Sequence, residues 1–380
     1  MSGSHIAQSG QGLNNAIAHF RDLLALNPFD FSPEARQKFI QSFKSTASWH
    51  ISKCPEIRLF WELNKISPDQ IHTESDLLNV PPVLVTIFKE WDLACVPRED
   101  IVLTLGSSGT GGQRSLQHLD QVSLNHVKSL AYKVHDSLGI TSSNKFNYLC
   151  FTYDPQIAKD LGTAFTDELL TSFTGINDVF YALRPHPVSG EWFFDRELCQ
   201  KMIWQFYESG IPTRILGFPA FLLDLLKNCN KLPPLGESSW VQTGGGYKNH
   251  AGEVLTKQDF RDLVYQKLKI PPQNIRDLFG MVEHGIPYVE DELGQMRIPN
   301  LARVMARDSK DLSPLPDGEP GLLHFLCSYN LSYPASSILS TDLGVVLPDP
   351  DGRGKILQIL GRAGVSKAKG CAIQAQELLK

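Results

Sequence analysis

The sequence predicts an α/β fold of mixed sheets with packed helices, and three observations carry that prediction. Strand-like and helix-like stretches alternate from residue 146 onward. Hydrophobic residues make up 42% and charged residues 20% of 380, an ordinary soluble composition on a chain long enough for a large core or two lobes. Two glycine clusters, at 106–112 and 244–246, each follow a β-branched or apolar run, as where a strand opens into a loop.

The elements follow in order. Residues 13–46 have helical periodicity at Leu13, Ile17, Phe20, Leu23 and Leu24, break at Pro28, and resume at Phe39, Ile40 and Phe43. They read as two helices packed on the main body. Residues 49–63 read as another helix, interrupted by Pro55. Pro81 and Pro82 fix the approach to an apolar segment at 83–88. The run 101–105 reads as a buried strand, and 116–138 as a helix. Strands are predicted at 146–151, 179–183, 213–217, 240–242, 321–327 and 355–360. Helices are predicted at 196–208, 218–227 and 257–268. No internal repeat or low-complexity linker divides the chain, so one body with sub-lobes is expected. It comprises a helical portion (1–98), an α/β core (99–360) and a tail (361–380).

Net charge is −5, which points away from nucleic acid and anionic membranes. No apolar run reaches the roughly 18 residues of a membrane span, and residues 1–5 lack a basic, then apolar, leader pattern. Seven cysteines lie scattered, without a CxxC pair, as expected of reduced thiols in a cytoplasmic protein.

Chemistry concentrates in a few stretches. Gly106-Ser107-Ser108-Gly109-Thr110-Gly111-Gly112-Gln113-Arg114-Ser115 combines open backbone with hydroxyl donors, and a following helix would add its positive end, so it suits a polyphosphate. It also suits a surface turn. A Walker loop is excluded because Gly112 stands where Lys is needed, and a GxGxxG fingerprint because Arg114 stands where glycine is needed. Thr243-Gly244-Gly245-Gly246 would admit a flat ligand, or simply turn. Glu283, in Phe279-Gly280-Met281-Val282-Glu283-His284, is adequate for Mg²⁺, which takes one or two carboxylates plus phosphate oxygens. Asp342 can accept two hydrogen bonds from a vicinal diol. A zinc site is not expected at His284, since no second ligand stands at the right spacing.

These stretches, in this order, resemble the motifs of adenylate-forming enzymes, which activate carboxylates with ATP as acyl-AMP. The 107–112 segment is similar to their Ser/Thr-Ser-Gly-Thr-Thr-Gly loop, with Arg114 in place of the usual Lys. The resemblance implies that Gly244, Gly245 and Gly246 line the adenine pocket, that Phe279 and Gly280 form the aromatic motif on adenine, and that Glu283 holds Mg²⁺. It further implies that Asp342 binds ribose and that Arg362, in a Gly-Arg hinge motif, reaches ribose or phosphate. Two departures stand out: Val282 replaces a hydroxyl residue, and Gly364 or Val365 falls where the hinge Asp belongs.

The ending Lys367-Ala368-Lys369-Gly370-Cys371-Ala372 resembles the acyl-protein synthetase (LuxE-type) branch, related to phenylacetate–CoA ligases. That resemblance implies the N-terminal large domain of the fold without the lid domain, and Cys371 as acyl acceptor. Lys355, Lys367 and Lys369 would favour its thiolate. A stray C-terminal cysteine is the plainer reading of the residues alone.

The expected function is ATP- and Mg²⁺-dependent activation of a carboxylic acid, expected to be a fatty acid, then transfer to Cys371 and an acyl-accepting protein, a reductase or carrier protein. Arg114 would neutralise phosphate charge. Gly217, Phe218 and His284 are the expected substrate-pocket residues. One alternative keeps the fold but uses coenzyme A or a carrier protein as acceptor for an aryl or polyketide acid. Another is a non-catalytic nucleotide-binding or scaffold subunit of a larger complex.

Overall fold

The computed structural model describes residues 3–107, 115–158, 162–186, 189–245 and 255–363. Helix α1 (Gly3–Leu24) and α2 (Pro33–Lys53) pack together. The Ser32 hydroxyl caps α2 by accepting from the Ala35 amide, and Pro33 occupies the first turn, where its missing N–H costs nothing. The next proline, Pro55, ends α2 at Cys54 and starts α3 (Pro55–Leu63). Trp49 therefore belongs to α2 rather than to a separate helix. The apolar segment after the double proline becomes a two-residue strand, β1 (Val83–Leu84), and one turn, α4 (Ile87–Glu90).

Strand β2 (Ile101–Gly106) is followed by a correction to the sequence reading. Residues 116–120 are not helical; they form β3 (Leu116–Asp120), antiparallel to β2, and α5 (Gln121–Ser137) begins only after Asp120. The residues flanking the glycine stretch thus pair as a hairpin, and a strand rather than a helix follows it in sequence. Asp120 itself caps α5, accepting from the Ser123 amide. Leu116-Gln117-His118-Leu119 satisfies a period of two as well as of 3.6, and pairing with β2 decides between them.

The α/β body then unrolls: β4 (Lys145–Tyr153), α6 (Gly162–Thr171), β5 (Gly175–Pro185), β6 (Trp192–Phe194), α7 (Arg196–Glu208), β7 (Thr213–Gly217), α8 (Pro219–Asn228), β8 (Trp240–Gly244), α9 (Lys257–Leu268), β9 (Ile275–Phe279) and β10 (Tyr288–Val289). These strands make one sheet, ordered β10-β9-β8-β7-β4-β5-β6. Its five inner strands are parallel and its two edges antiparallel. A second sheet, β1-β13-β12-β11 with β14 also on β13, holds β11 (Ala302–Arg307), β12 (Gly321–Cys327), β13 (Ser337–Pro348) and β14 (Lys355–Arg362).

Alternation along β4 shows how the parallel sheet is covered. Tyr148 and Cys150 join the larger core shared with α1, α2, α5 and the second sheet. Leu149 and Phe151 join the core under α7, α8 and α9, with Phe206, Phe221 and Phe260. Buried on both faces, the strand is apolar throughout rather than alternating.

Candidate active site

The site is built on the C-terminal ends of neighbouring parallel strands, where ligands of open α/β sheets bind. At the end of β7, Gly217 has φ +106°, and a Cβ there would lie 2.5 Å from the Phe151 carbonyl oxygen of β4. Only glycine lets β7 come this close, and the next amide, of Phe218, donates to that same oxygen at 3.0 Å. At the end of β8, a Cβ on Gly244 would approach the Leu278 carbonyl of β9 to 3.0 Å. Gly245 has φ +91° and faces the Phe218 ring, 3.3 Å from where its Cβ would be. Gly217 and Gly245, at the ends of neighbouring strands, therefore meet over Phe218. Tyr153 at the end of β4 sets its ring edge-on to Phe218 at 6.5 Å and to Trp192 at 4.8 Å. Sequence reading missed Tyr153 and Trp192, since neither stands in a motif; proximity to strand ends was their only signal.

One strand over, β9 ends at Phe279. Its half-buried ring stacks on Phe325 of β12 at 6.0 Å, so the motif turn sits where the two sheets meet. The turn is closed by the amides of His284 and Gly285, both donating to the Met281 carbonyl at 3.1 and 2.9 Å. Glu283 is 6% exposed, and among the described residues no cation or hydrogen-bond donor pairs with its carboxylate. Among the described residues the buried Tyr333 hydroxyl has no hydrogen-bond partner, and burial, with Glu283 nearby, pushes its pKa upward. His284 is not a surface residue. Its ring is fully buried, Nε2 lies 2.8 Å from the Tyr288 hydroxyl, and burial alone lowers its pKa to about 3.

The turn's strand is braced by charge. Glu290 accepts from the Asp277 amide at 2.8 Å and pairs with Lys257 at 2.8 Å and Arg261 at 2.6 Å, while Lys257 also meets Asp277 at 2.7 Å. These groups tie α9 to β9 just below Phe279.

In the hairpin, the Ser107 hydroxyl accepts from the Ser115 amide at 3.0 Å, and the Ser107 amide donates to the Ser115 carbonyl at 3.0 Å, which closes the loop. The Ser115 hydroxyl is buried without a partner among the described residues. Ser108, Gly109, Thr110, Gly111, Arg114, Gly246 and Cys371 lie outside the described residues. His118, buried on β3, bridges Asp92 (2.5 Å from Nε2) and Thr104 of β2 (3.0 Å from Nδ1). Asp342 and Arg362 meet each other, at 3.2 Å across β13 and β14, on the second sheet. Lys355 pairs with Asp317 at 2.8 Å, so its charge is already engaged. The six described cysteines are all buried. No group of three metal-ligating side chains stands together among the described residues, and no helix among them is long and apolar enough to cross a membrane.

The fold with this row of strand-end glycines is that of adenylate-forming ligases. The structure is similar to 2-hydroxyisobutyryl-CoA ligase in an open conformation with its acyl adenylate and CoA, with a TM-score of 0.66 over 87% of this chain and 70% of that one, at 17% identity. Within this class, the family model for acyl-protein synthetase, LuxE, matches residues 13–380, and the chain belongs to that family. It is similar to the long-chain-fatty-acid–luciferin-component ligase of Aliivibrio fischeri, at 26% identity over 93% of this chain and 90% of the relative. The ligase of the same description from Vibrio harveyi is 24% identical, over 90% of this chain and 89% of the relative.

Proposed function

We propose that this acyl-protein synthetase activates a long-chain fatty acid with ATP and loads the acyl group onto its own Cys371, for delivery to an acyl-accepting partner protein. The observation that carries the reading is the unpaired, buried Glu283 carboxylate on the turn after β9, beside glycine-opened strand ends. Gly244 and Gly245 leave a cradle that any side chain would fill, which suits a flat base, with Phe279 at its edge. The loop 107–115 would hold the phosphates, and Arg114 would offset their charge. Asp342 and Arg362, already paired, would bind ribose. A hard cation fits Glu283, since nothing else described neutralises that carboxylate, and Mg²⁺ held there would supply charge neutralisation of the phosphates.

In the first step a fatty carboxylate oxygen bonds to the α-phosphorus and the bond to pyrophosphate breaks. The chain's contribution is position and charge stabilisation in a site walled by Tyr153, Trp192 and Phe218. In the second step a thiolate sulfur attacks the acyl carbonyl and AMP leaves. Burial pushes the pKa of each described cysteine upward, to about 11 for Cys54 and about 12 for Cys327, so none is suited to this attack. Cys371 is the seventh cysteine, and it stands in the family's Lys-Gly-Cys-Ala context. In this reading residues 99–360 carry adenylation, 1–98 brace it and 361–380 carry the acceptor.

Intact-protein mass spectrometry after incubation with ATP, Mg²⁺ and a panel of fatty acids tests this. The expected product is a hydroxylamine-labile acyl adduct on the wild type that Cys371→Ser lacks, with ATP–pyrophosphate exchange retained in the variant. AMP release that requires added coenzyme A, without an adduct, would reassign the acceptor.

A further inference from the structure

One buried tyrosine stands between the phosphate-loop hairpin and the turn that carries Glu283. Tyr329 is 1% exposed and follows β12. On one side its hydroxyl accepts a 2.6 Å hydrogen bond from the side-chain amide of Gln117, itself buried on β3. Gln117 pairs in register with Leu105, so the bond grips the hairpin one residue from where it opens into the loop. On the other side the hydroxyl presses on Gly285, the residue that closes the Glu283 turn. A Cβ at Gly285 would lie 1.9 Å from the Tyr329 hydroxyl oxygen, and φ there is +72°. The phenol oxygen thus touches the turn's backbone directly while bonding the hairpin.

The base of this strut is held by two helices. His126 of α5 places Nδ1 2.8 Å from the Tyr329 carbonyl oxygen. From α2, Thr46 donates to the Ser328 carbonyl at 2.9 Å, and His50 Nε2 lies 2.9 Å from the Asn330 carbonyl oxygen. Trp49 donates to the Leu331 carbonyl at 2.8 Å. The tyrosine cannot tilt without breaking buried hydrogen bonds, each costly to leave unmade. A rigid base, a rigid ring and a contact at both faces of one oxygen make a spacer of fixed length.

We infer that Tyr329 is a positioning residue that sets the distance between the phosphate-loop hairpin and Glu283, with Gln117 and Gly285 as its two seats. The inference rests on the adenylation reading above, in which loop and carboxylate must close on the same phosphates. Groups that act together on one transition state tolerate misplacement of only a fraction of an ångström to about 1 Å before rate falls steeply. Removing the hydroxyl frees Gln117 of the hairpin from Tyr329 and leaves a gap over Gly285, so both seats loosen together.

The experiment compares the full-length wild type with Tyr329→Phe, Gln117→Met and the double variant. Amide hydrogen exchange by mass spectrometry should show peptides covering 115–120 and 281–286 losing protection together in Tyr329→Phe, with α7 and α8 unchanged. ATP–pyrophosphate exchange, run well below each variant's melting temperature, should lose about tenfold in kcat, with KM for the fatty acid within about twofold. The double variant should be no worse than Tyr329→Phe, because the Gln117 bond is already lost in that single variant. Additive losses, or faster exchange in one segment alone, would overturn the inference. So would unchanged kcat in Tyr329→Phe. If the wild type itself shows no pyrophosphate exchange, the adenylation reading fails, and the hydrogen-exchange arm still decides the strut. If Tyr329→Phe does not fold, Gln117→Met tests the hairpin seat: 115–120 should lose protection with a fall in kcat, and an unchanged kcat would overturn the inference.

Discussion

Asp167 is the buried acid with the most measurable consequence. It sits on α6, which packs against β4, and is 8% exposed. Burial pushes its carboxyl from 3.8 up to about 7, against a smaller opposing effect of the Thr152 hydroxyl. The fold therefore holds the neutral acid, while the unfolded chain ionises it freely above about pH 4. Raising the pH from about 4 to about 7 favours the unfolded state, and the stability of the neutral form is complete only below 3.8. Integrating the two titrations gives a penalty of about 4 kcal/mol at pH 7.5 and about 2 kcal/mol at pH 5. Asp167→Asn removes the titration while keeping the shape. Whatever fixed cost or gain the amide brings, its stability relative to wild type should rise by about 2–3 kcal/mol between pH 5 and pH 7.5. Urea unfolding at the two pH values, with equal slopes, measures this directly. A stability difference that stays the same at both pH values would refute the buried neutral carboxyl and the reasoning that places it.

Other outcomes follow from the same structure. His50 and His135 are buried and neutral, each lowered by burial to about 4, so their stabilising effect is full above 6.5 and lost as the pH falls toward 4. They should cost the wild type about 4 kcal/mol between pH 7.5 and pH 5, partly offset by Asp167, so acid destabilisation should be steeper in Asp167→Asn. Glu283→Gln should lower ATP–pyrophosphate exchange by about a hundredfold or more while circular-dichroism melting stays close to wild type, because the carboxylate has no described structural partner. A large melting-temperature drop with proportionate activity would show it to be structural instead. Gly217→Ala should destabilise by about 2 kcal/mol or more in urea titration, since its Cβ would meet the Phe151 carbonyl at 2.5 Å with φ at +106°.

Much of this protein was legible in one dimension. Helices α7 (Arg196–Glu208) and α9 (Lys257–Leu268) and strands β7 (Thr213–Gly217) and β12 (Gly321–Cys327) fall where periodicity puts them. Their signals are local: apolar spacing, capping residues such as Asp195 and Thr256, and glycines at strand ends. Order of motifs sufficed for the family, because several short stretches resembled it in the same order and the family model matches residues 13–380.

What the sequence by itself could not determine depends on partners distant in the chain. Residues 116–120 carry a pattern compatible with helix or strand, and only pairing with β2 makes them a strand. That pairing also puts a strand, not a helix, directly after the glycine stretch in sequence. The meeting of Gly217 with Gly245 over Phe218, the pairing of Asp342 with Arg362, and the burial of His284 each join segments whose neighbours in sequence say nothing of one another. Tyr329 belongs to no motif, yet it touches the hairpin and the Glu283 turn at once, across sequence separations of 212 residues to Gln117 and a few dozen to Gly285. Composition and periodicity specify which faces are buried, but steric fit and hydrogen-bond satisfaction in the folded core choose which buried groups meet, and those choices exist only in three dimensions.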